Sequence, residues 1–255
     1  RVESNGNANM LFVDGGNDKV GIGTGSPNDY YAKDLVVNSA DEGGITILNS
    51  STHAGGLFFA DGTGANAYRS YIQYDHNTDE MVIATAATHA MKIDSNGHIN
   101  MPKQCAFTAY PDQNQNNLSI NTTTTIVFDA ELFDQNGDFN TSNYTFTAPV
   151  TGRYMFHVHI RLDKMDLETP YYFPQIVTSN RVYYNIVAMH GGSGTHIYNA
   201  DPDYFSISMP VLADMDANDT AVVKINVPNA GAAQADVIGT GDGNPQTRWS
   251  GHLVA

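Results

Sequence analysis

The sequence predicts an all-β chain, and three observations carry the prediction. Residues 144–160, YTFTAPVTGRYMFHVHI, spell a strand, a Pro/Gly turn and a second strand. Within the second strand Tyr154, Phe156, Val158 and Ile160 fall on one side and Met155, His157 and His159 on the other, the period of two expected of a strand with one face in a core. Only 15% of the residues are charged, while Asn, Thr, Gly and Tyr are abundant, which suits short strands and tight turns better than helices.

In chain order, a hairpin comes first. Val13-Asp14 leads through Gly15-Gly16-Asn17-Asp18-Lys19 into Val20-Gly21-Ile22. Ile93-Asp94 leads in the same way through Ser95-Asn96-Gly97-His98 into Ile99-Asn100-Met101, and Pro27 and Pro102 follow the two copies. Gly and Asn supply the positive φ angles that such turns need. Two copies do not make a regular solenoid. Between them, strands are expected at Leu35–Val37, Gly44–Leu48, Gly56–Ala60, Tyr71–Tyr74 and Met81–Ala84, separated by Gly/Asn/Asp turns. They are too short and too thin to enclose a core within one chain, so their burial is expected to come from neighbouring chains.

The phrase VGIGTGSP at residues 20–27 and the stretch GGLFFADGTGANAYRSYIQYDHNTDEMVIATAATHAMKIDSNGHINM from Gly55 to Met101 resemble distal segments of tailed-bacteriophage tail fibres. That likeness covers about residues 8–102 and implies an intertwined trimeric β-shaft, residues 1–102.

From Cys105 onward the text changes. Gln104–Ala109 resembles the opening strand of the complement globular-head family, relatives of tumour necrosis factor, and Thr125–Phe128 its next core strand. Tyr144–Pro149, the Gly152 turn and Tyr154–Ile160 match its central hairpin. Val211-Leu212 to Val222–Ile225 matches a later hairpin, and Trp249–Val254 the aromatic-Ser-Gly-X-Leu closing strand. The resemblance implies a jelly-roll β-sandwich head over residues 103–255, assembled as a compact three-fold trimer and used for display and binding, not catalysis. The closing strand is expected to pair centrally, so that loss of Trp249 unfolds the head. Two segments depart from the family: Asp163–Gly194 is long and aromatic, and Met215–Asp219 replaces the usual Gly-Asp turn. Ligand identity therefore does not carry over.

Composition excludes several classes. With 255 residues, 41% of them hydrophobic, the chain can bury one substantial core or two smaller ones. Twelve basic against 27 acidic residues give a formal charge of −15 without a Lys/Arg cluster, which disfavours nucleic acid. The same acidity is repelled by an anionic cell surface unless salt or divalent cations screen it. Cys105 is the sole cysteine, so no intrachain disulfide forms, and a buried reduced thiol is expected. No apolar run approaches the roughly 20 residues needed to span a bilayer as a helix, and no charged-then-apolar signal segment opens the chain. The start at Arg1 without Met reads as a fragment or processed piece of something longer. Asn-X-Ser/Thr occurs at Asn49, Asn121, Asn140, Asn143 and Asn218, as expected by chance in an Asn/Thr-rich chain, though each would be a glycan acceptor in a secreted eukaryotic protein.

Candidate chemistry is sparse. Tyr171-Tyr172-Phe173 and Tyr183-Tyr184 read either as a sugar-stacking platform, with Tyr171, Tyr172, Tyr183 and Tyr184 as receptor contacts, or as core and trimer-interface packing. His157 and His159 share a strand face, open to metal with a third His, to solvent or to a subunit interface, where protonation would loosen a trimer. Asp134–Asp138 and Asp214–Asp219 place oxygen groups at alternate positions. Ordinary turns explain both, and calcium is the one cofactor they leave open. No nucleophile elbow, phosphate loop or zinc-protease helix is present, and Gly21-Ile22-Gly23-Thr24-Gly25 precedes no helix. A carboxylate pair for polysaccharide cleavage, drawn from distant segments, stays open.

The expected function is that of a homotrimeric phage virion fibre tip, extracellular, whose head meets a host-surface glycan or protein and whose N-terminal side meets other tail proteins. The alternatives are a capsid or tail appendage without receptor binding, a secreted complement-like lectin, and a depolymerase.

Overall fold

The computed structural model describes residues 2–4, 6–191, 194–228 and 234–255. Its regular structure is strand with two short 3-10 turns. The chain divides into two compact units, one up to Ile99 and one from Asn100 onward.

Aspartates shape the first unit. β1 (Val2–Ser4), β2 (Asn7–Asp14), β3 (Lys19–Ile22) and β4 (Leu35–Val37) form one sheet in that order, with β3 and β4 parallel. β5 (Ala54–Phe59), β6 (Ser70–Asp75), β7 (Glu80–Thr85), β8 (Thr88–Ile93) and β9 (Ile99–Asn100) form a second. The two hairpins read from the sequence are present, and the Asp of each ties its own turn. Asp14 accepts hydrogen bonds from the Gly16 amide and Asn17 Nδ2, and Asp94 from the Asn96 and His98 amides. A carboxylate that satisfies amides two to four residues ahead stabilises the reversal without needing a strand partner.

The expected thinness of this unit is observed. Among the described residues its buried apolar side chains are Val36, Val82 and Ala84, with Pro27, whereas Leu57, Phe58, Phe59 and Ile72 are exposed. The strand expected at Gly44–Leu48 is not formed. Ile47 and Asn49 lie against Gly55 of β5, in space that a Cβ there would need, but the segment joins no ladder. Its alternating side chains suit a strand, and β5 beside it is the edge of its sheet, but the segment makes no ladder with that edge. Ile45, Ile47, Leu57, Ile72, Tyr74 and Met81 instead line an open groove of about 290 Å³.

The second unit is a two-sheet sandwich. Its strands are β10 (Ala106–Tyr110), β11 (Thr123–Thr125), β12 (Ala130–Asp134), β13 (Phe139–Asn140), β14 (Thr145–Thr147), β15 (Gly152–Asp163) and β16 (Tyr171–Thr178). They continue with β17 (Val182–Tyr184), β18 (Val187–Ala188), β19 (Phe205–Met215), β20 (Thr220–Asn226), β21 (Asp236–Val237) and β22 (Arg248–Leu253). One sheet runs β12-β10-β22-β15-β19, with β21 against β15. The other runs β13-β14-β20-β16-β17, with β11 on β20 and β18 on β16. The last strand thus sits between β10 and β15, as the resemblance of its aromatic-Ser-Gly text implied. The core strand expected at Thr125–Phe128 is displaced: the ladder ends at Thr125, one further bond runs from the Ile126 amide to the Val223 carbonyl at 3.0 Å, and Ile126 and Phe128 enter the core from irregular chain.

The core explains the closure. Trp249 is fully buried and meets Phe107, Phe128, Phe139 and Phe156 with ring centroids 5.2 to 5.8 Å apart. Phe107 stacks on Phe139 and Phe146 at 4.9 and 5.2 Å. Such offset and edge contacts add to the area that aromatic residues bury. Tyr154 faces this core and sends its hydroxyl to the Val150 carbonyl at 2.6 Å, so its polar end is satisfied. Tyr154, Phe156, Val158 and Ile160 all point inward, in the alternation read from the sequence.

Candidate functional site

On β16 the side chains alternate, and this divides the aromatic run. Tyr172, Pro174, Ile176 and Thr178 point inward, while Tyr171, Phe173, Gln175 and Val177 point out. Tyr172 is fully buried, and its hydroxyl accepts a hydrogen bond from the Asp166 amide at 2.8 Å. Burial pushes its phenol pKa up. Tyr172 is therefore a core residue and offers nothing to a partner. Tyr183 on β17 is half-buried and packs on the same core. Two of the four tyrosines read as contacts face outward, Tyr171 and Tyr184, at 38% and 61% exposure.

Phe173 joins them. Its ring lies 4.9 Å from Tyr184 and 6.2 Å from Tyr171, so the three make a continuous aromatic row on the outer sheet. Gln175 lies opposite Tyr184 on one side and Lys224 on the other, and Phe173 lies opposite Asn226, whose amide donates to Thr123 Oγ1 at 3.2 Å. A flat π surface edged by amide, hydroxyl and ammonium groups can stack on the C–H face of a sugar ring and hydrogen-bond its hydroxyls. Alternation along the strand puts Phe173 and Tyr172 on opposite faces, and the packing of the sandwich turns Phe173 outward.

The other sequence candidates resolve as turns or face residues. Asp134 Oδ1 accepts from the Gly137 and Asp138 amides and Oδ2 from the Phe139 amide, at 2.8 to 3.2 Å. Asp219 Oδ2 accepts from the Asp216 amide and Asn180 Nδ2 at 2.8 and 2.7 Å. Carboxylates engaged in this way cap their loops. His157 and His159 lie on the outward face of β15, and His159 Nδ1 is 2.8 Å from Ser208 Oγ. Burial first, then Arg248 and His157, hold the His159 pKa below its ordinary value. Among the described residues, no three His, Cys, Asp or Glu side chains converge as metal ligands. Cys105 is buried, and burial, with Asp138 and Asp134 nearby, pushes its thiol pKa far up.

A sequence model of the C1q domain matches residues 106–254. No curated protein matches the chain. Three similar solved structures are the globular domain of zebrafish complement 1qA protein, murine APRIL at pH 8.0 and Eiger TNF from S. frugiperda. The zebrafish domain is 13% identical, covers 60% of this chain and 98% of its own, and has a TM-score of 0.43. For murine APRIL these figures are 11%, 60%, 100% and 0.41. For Eiger they are 9%, 59%, 91% and 0.37.

Proposed function

The chain belongs to the C1q-domain family, and from that premise we propose that it is the trimeric binding tip of a phage virion fibre. Its head contacts a host-surface glycan through Tyr171, Phe173 and Tyr184. The observation that carries the reading is the aromatic row, held on a rigid strand pair and turned away from the core. The thin first unit, with Leu57, Phe58 and Phe59 exposed, supports a shaft whose faces are covered by two further copies. Three heads on one shaft raise the effective concentration of a weak single site.

The test is binding of the labelled full chain to a panel of bacterial cells, with and without calcium, followed by competition against intact phage. Saturable, strain-specific binding that blocks adsorption is expected. Tyr171→Ala with Tyr184→Ala should weaken it about tenfold or more, since each lost stacking contact is worth roughly 1 kcal/mol. Absence of binding with the trimer intact would leave a structural appendage. The C1q match also favours a secreted complement-like lectin, which differs in binding glycans without blocking phage adsorption.

A further inference from the structure

We propose that acid loosens the contact between heads of the trimer by protonating His157, His159 and His252, which lie beside Arg248 on the outward face of the β12-β10-β22-β15-β19 sheet. The inference rests on the trimer of the proposed function and adds a means of controlling it.

The register places these groups together. Along β15, Met155 lies opposite His252 and Leu212, His157 opposite Ser250 and Pro210, and His159 opposite Arg248 and Ser208. Paired residues on neighbouring strands share a face, so three histidines and an arginine fall within one block of nine positions. That block holds no carboxylate, in a chain of net charge −15.

The nearest acids are engaged elsewhere. Asp214 is bonded to Arg153 and lies 3.5 Å from Arg181, and Asp163 pairs with Arg161, over which the Tyr204 ring lies. Asp236 of β21 takes Lys164 at 2.8 Å. Thr108 and Tyr110 of β10 complete the neighbouring strand, and Glu131 sits on β12 opposite Ala109, three strands from β15. Arg248 has no ion-pair partner among the described residues.

The same face also carries apolar side chains beside Ser208 and Ser250. Leu212 and Phe133 are each about half exposed, Pro210 is exposed and Met155 is half-buried. A strongly acidic chain repels copies of itself wherever carboxylates face each other. The block without carboxylates, flat and flanked by apolar side chains, is where that repulsion is least and burial gains most. With neutral imidazoles the face can be buried. Each imidazolium formed there adds a positive charge beside Arg248, and three copies bring like charges together.

The sign follows from linkage. Burial in an interface lowers a histidine pKa, as burial and Arg248 already do for His159, so separated heads bind more protons than joined ones. Contact is then complete above the ordinary histidine value of about 6.5 and lost as the pH falls below it. The global trend runs the other way, because acid also reduces the net negative charge and with it the general repulsion.

The experiment uses the full chain carrying Ser142→Cys, an exposed position on the opposite sheet's side, spin-labelled on that thiol while the buried Cys105 stays unreacted. Sedimentation counts the copies, and inter-label distances report whether the heads touch, at pH 7.5 and pH 5.5. The expected result is three copies at both values, with the short, narrow distance population lost at pH 5.5. Combined His157→Gln, His159→Gln and His252→Gln should retain that population at both. His252→Gln alone, at an exposed position that cannot endanger the fold, should shift the transition to lower pH. An unchanged distance in the parent at pH 5.5, or equal opening in the triple variant, overturns the proposal. A single copy at both pH values overturns the trimer itself.

Discussion

An alanine Cβ at Gly251 would lie 2.6 Å from Phe107 Cε1 and 2.7 Å from Phe156 Cδ1, so the small residue of the Trp-Ser-Gly run is required by ring packing, not by backbone angle. Gly251→Ala should destabilise the head by about 1–3 kcal/mol through overpacking, read as a lower denaturation midpoint of the second unit. Trp249→Ala should cost about 3–5 kcal/mol. Trp249→Phe should cost less, because the buried indole Nε1 has no hydrogen-bond partner to lose. Cys105 gives a pH prediction. Its folded pKa is raised above the ordinary 9.0, so above that value the unfolded chain releases a proton that the folded chain keeps. Stability from this group is thus intact below about pH 9 and declines above it. Iodoacetamide should leave Cys105 unmodified at pH 8 until denaturant is added, and rapid labelling of the native protein would contradict the burial.

Strands in this chain are joined by turns of very different quality. The Asp-tied turns after β2 and β8 suit their backbones, but the link between β7 and β8 is Ala86-Ala87 with φ of 48° and 58°. Two positive φ angles in a two-residue hairpin loop favour Asn-Gly, and alanine is strained there. Ala86→Asn with Ala87→Gly should stabilise the first unit by about 1 kcal/mol or more, measured as a higher melting temperature, and the Ala87 amide would keep its bond to the Arg69 carbonyl. The strand–turn–strand text at 144–160 was legible because alternation and the Pro/Gly turn agree locally. Gly44–Leu48 was not, since alternation shows that a segment suits a strand but does not supply the ladder partner that makes it one.

For the molecule as a whole, net charge sets the conditions of use. With a formal charge of −15, adsorption to an anionic surface should strengthen as salt rises from low to physiological values, where screening shortens the repulsion to about 8 Å. Chelation should leave the melting temperature unchanged, because the carboxylates of the two Asp-rich loops accept backbone and amide hydrogens. A calcium-dependent shift of several degrees would show that one loop rearranges to take the ion. The exposed apolar residues of the first unit predict that the intact protein sediments as an oligomer at micromolar concentration, and a well-folded monomer would refute the shaft.

The central place of the closing strand came with the resemblance to the complement globular-head family, whereas the sequence by itself determined the all-β class, the repeated Asp hairpins and the inward face of β15. Each depends on periodicity or turn chemistry contained within a few residues. Tertiary structure alone decided that Phe173 completes the aromatic row while Tyr172 is consumed by the core, and that His252 and Arg248 lie beside His157 and His159. Those neighbours come from strands about ninety residues apart in the chain, joined by ladder hydrogen bonds whose register no local pattern encodes.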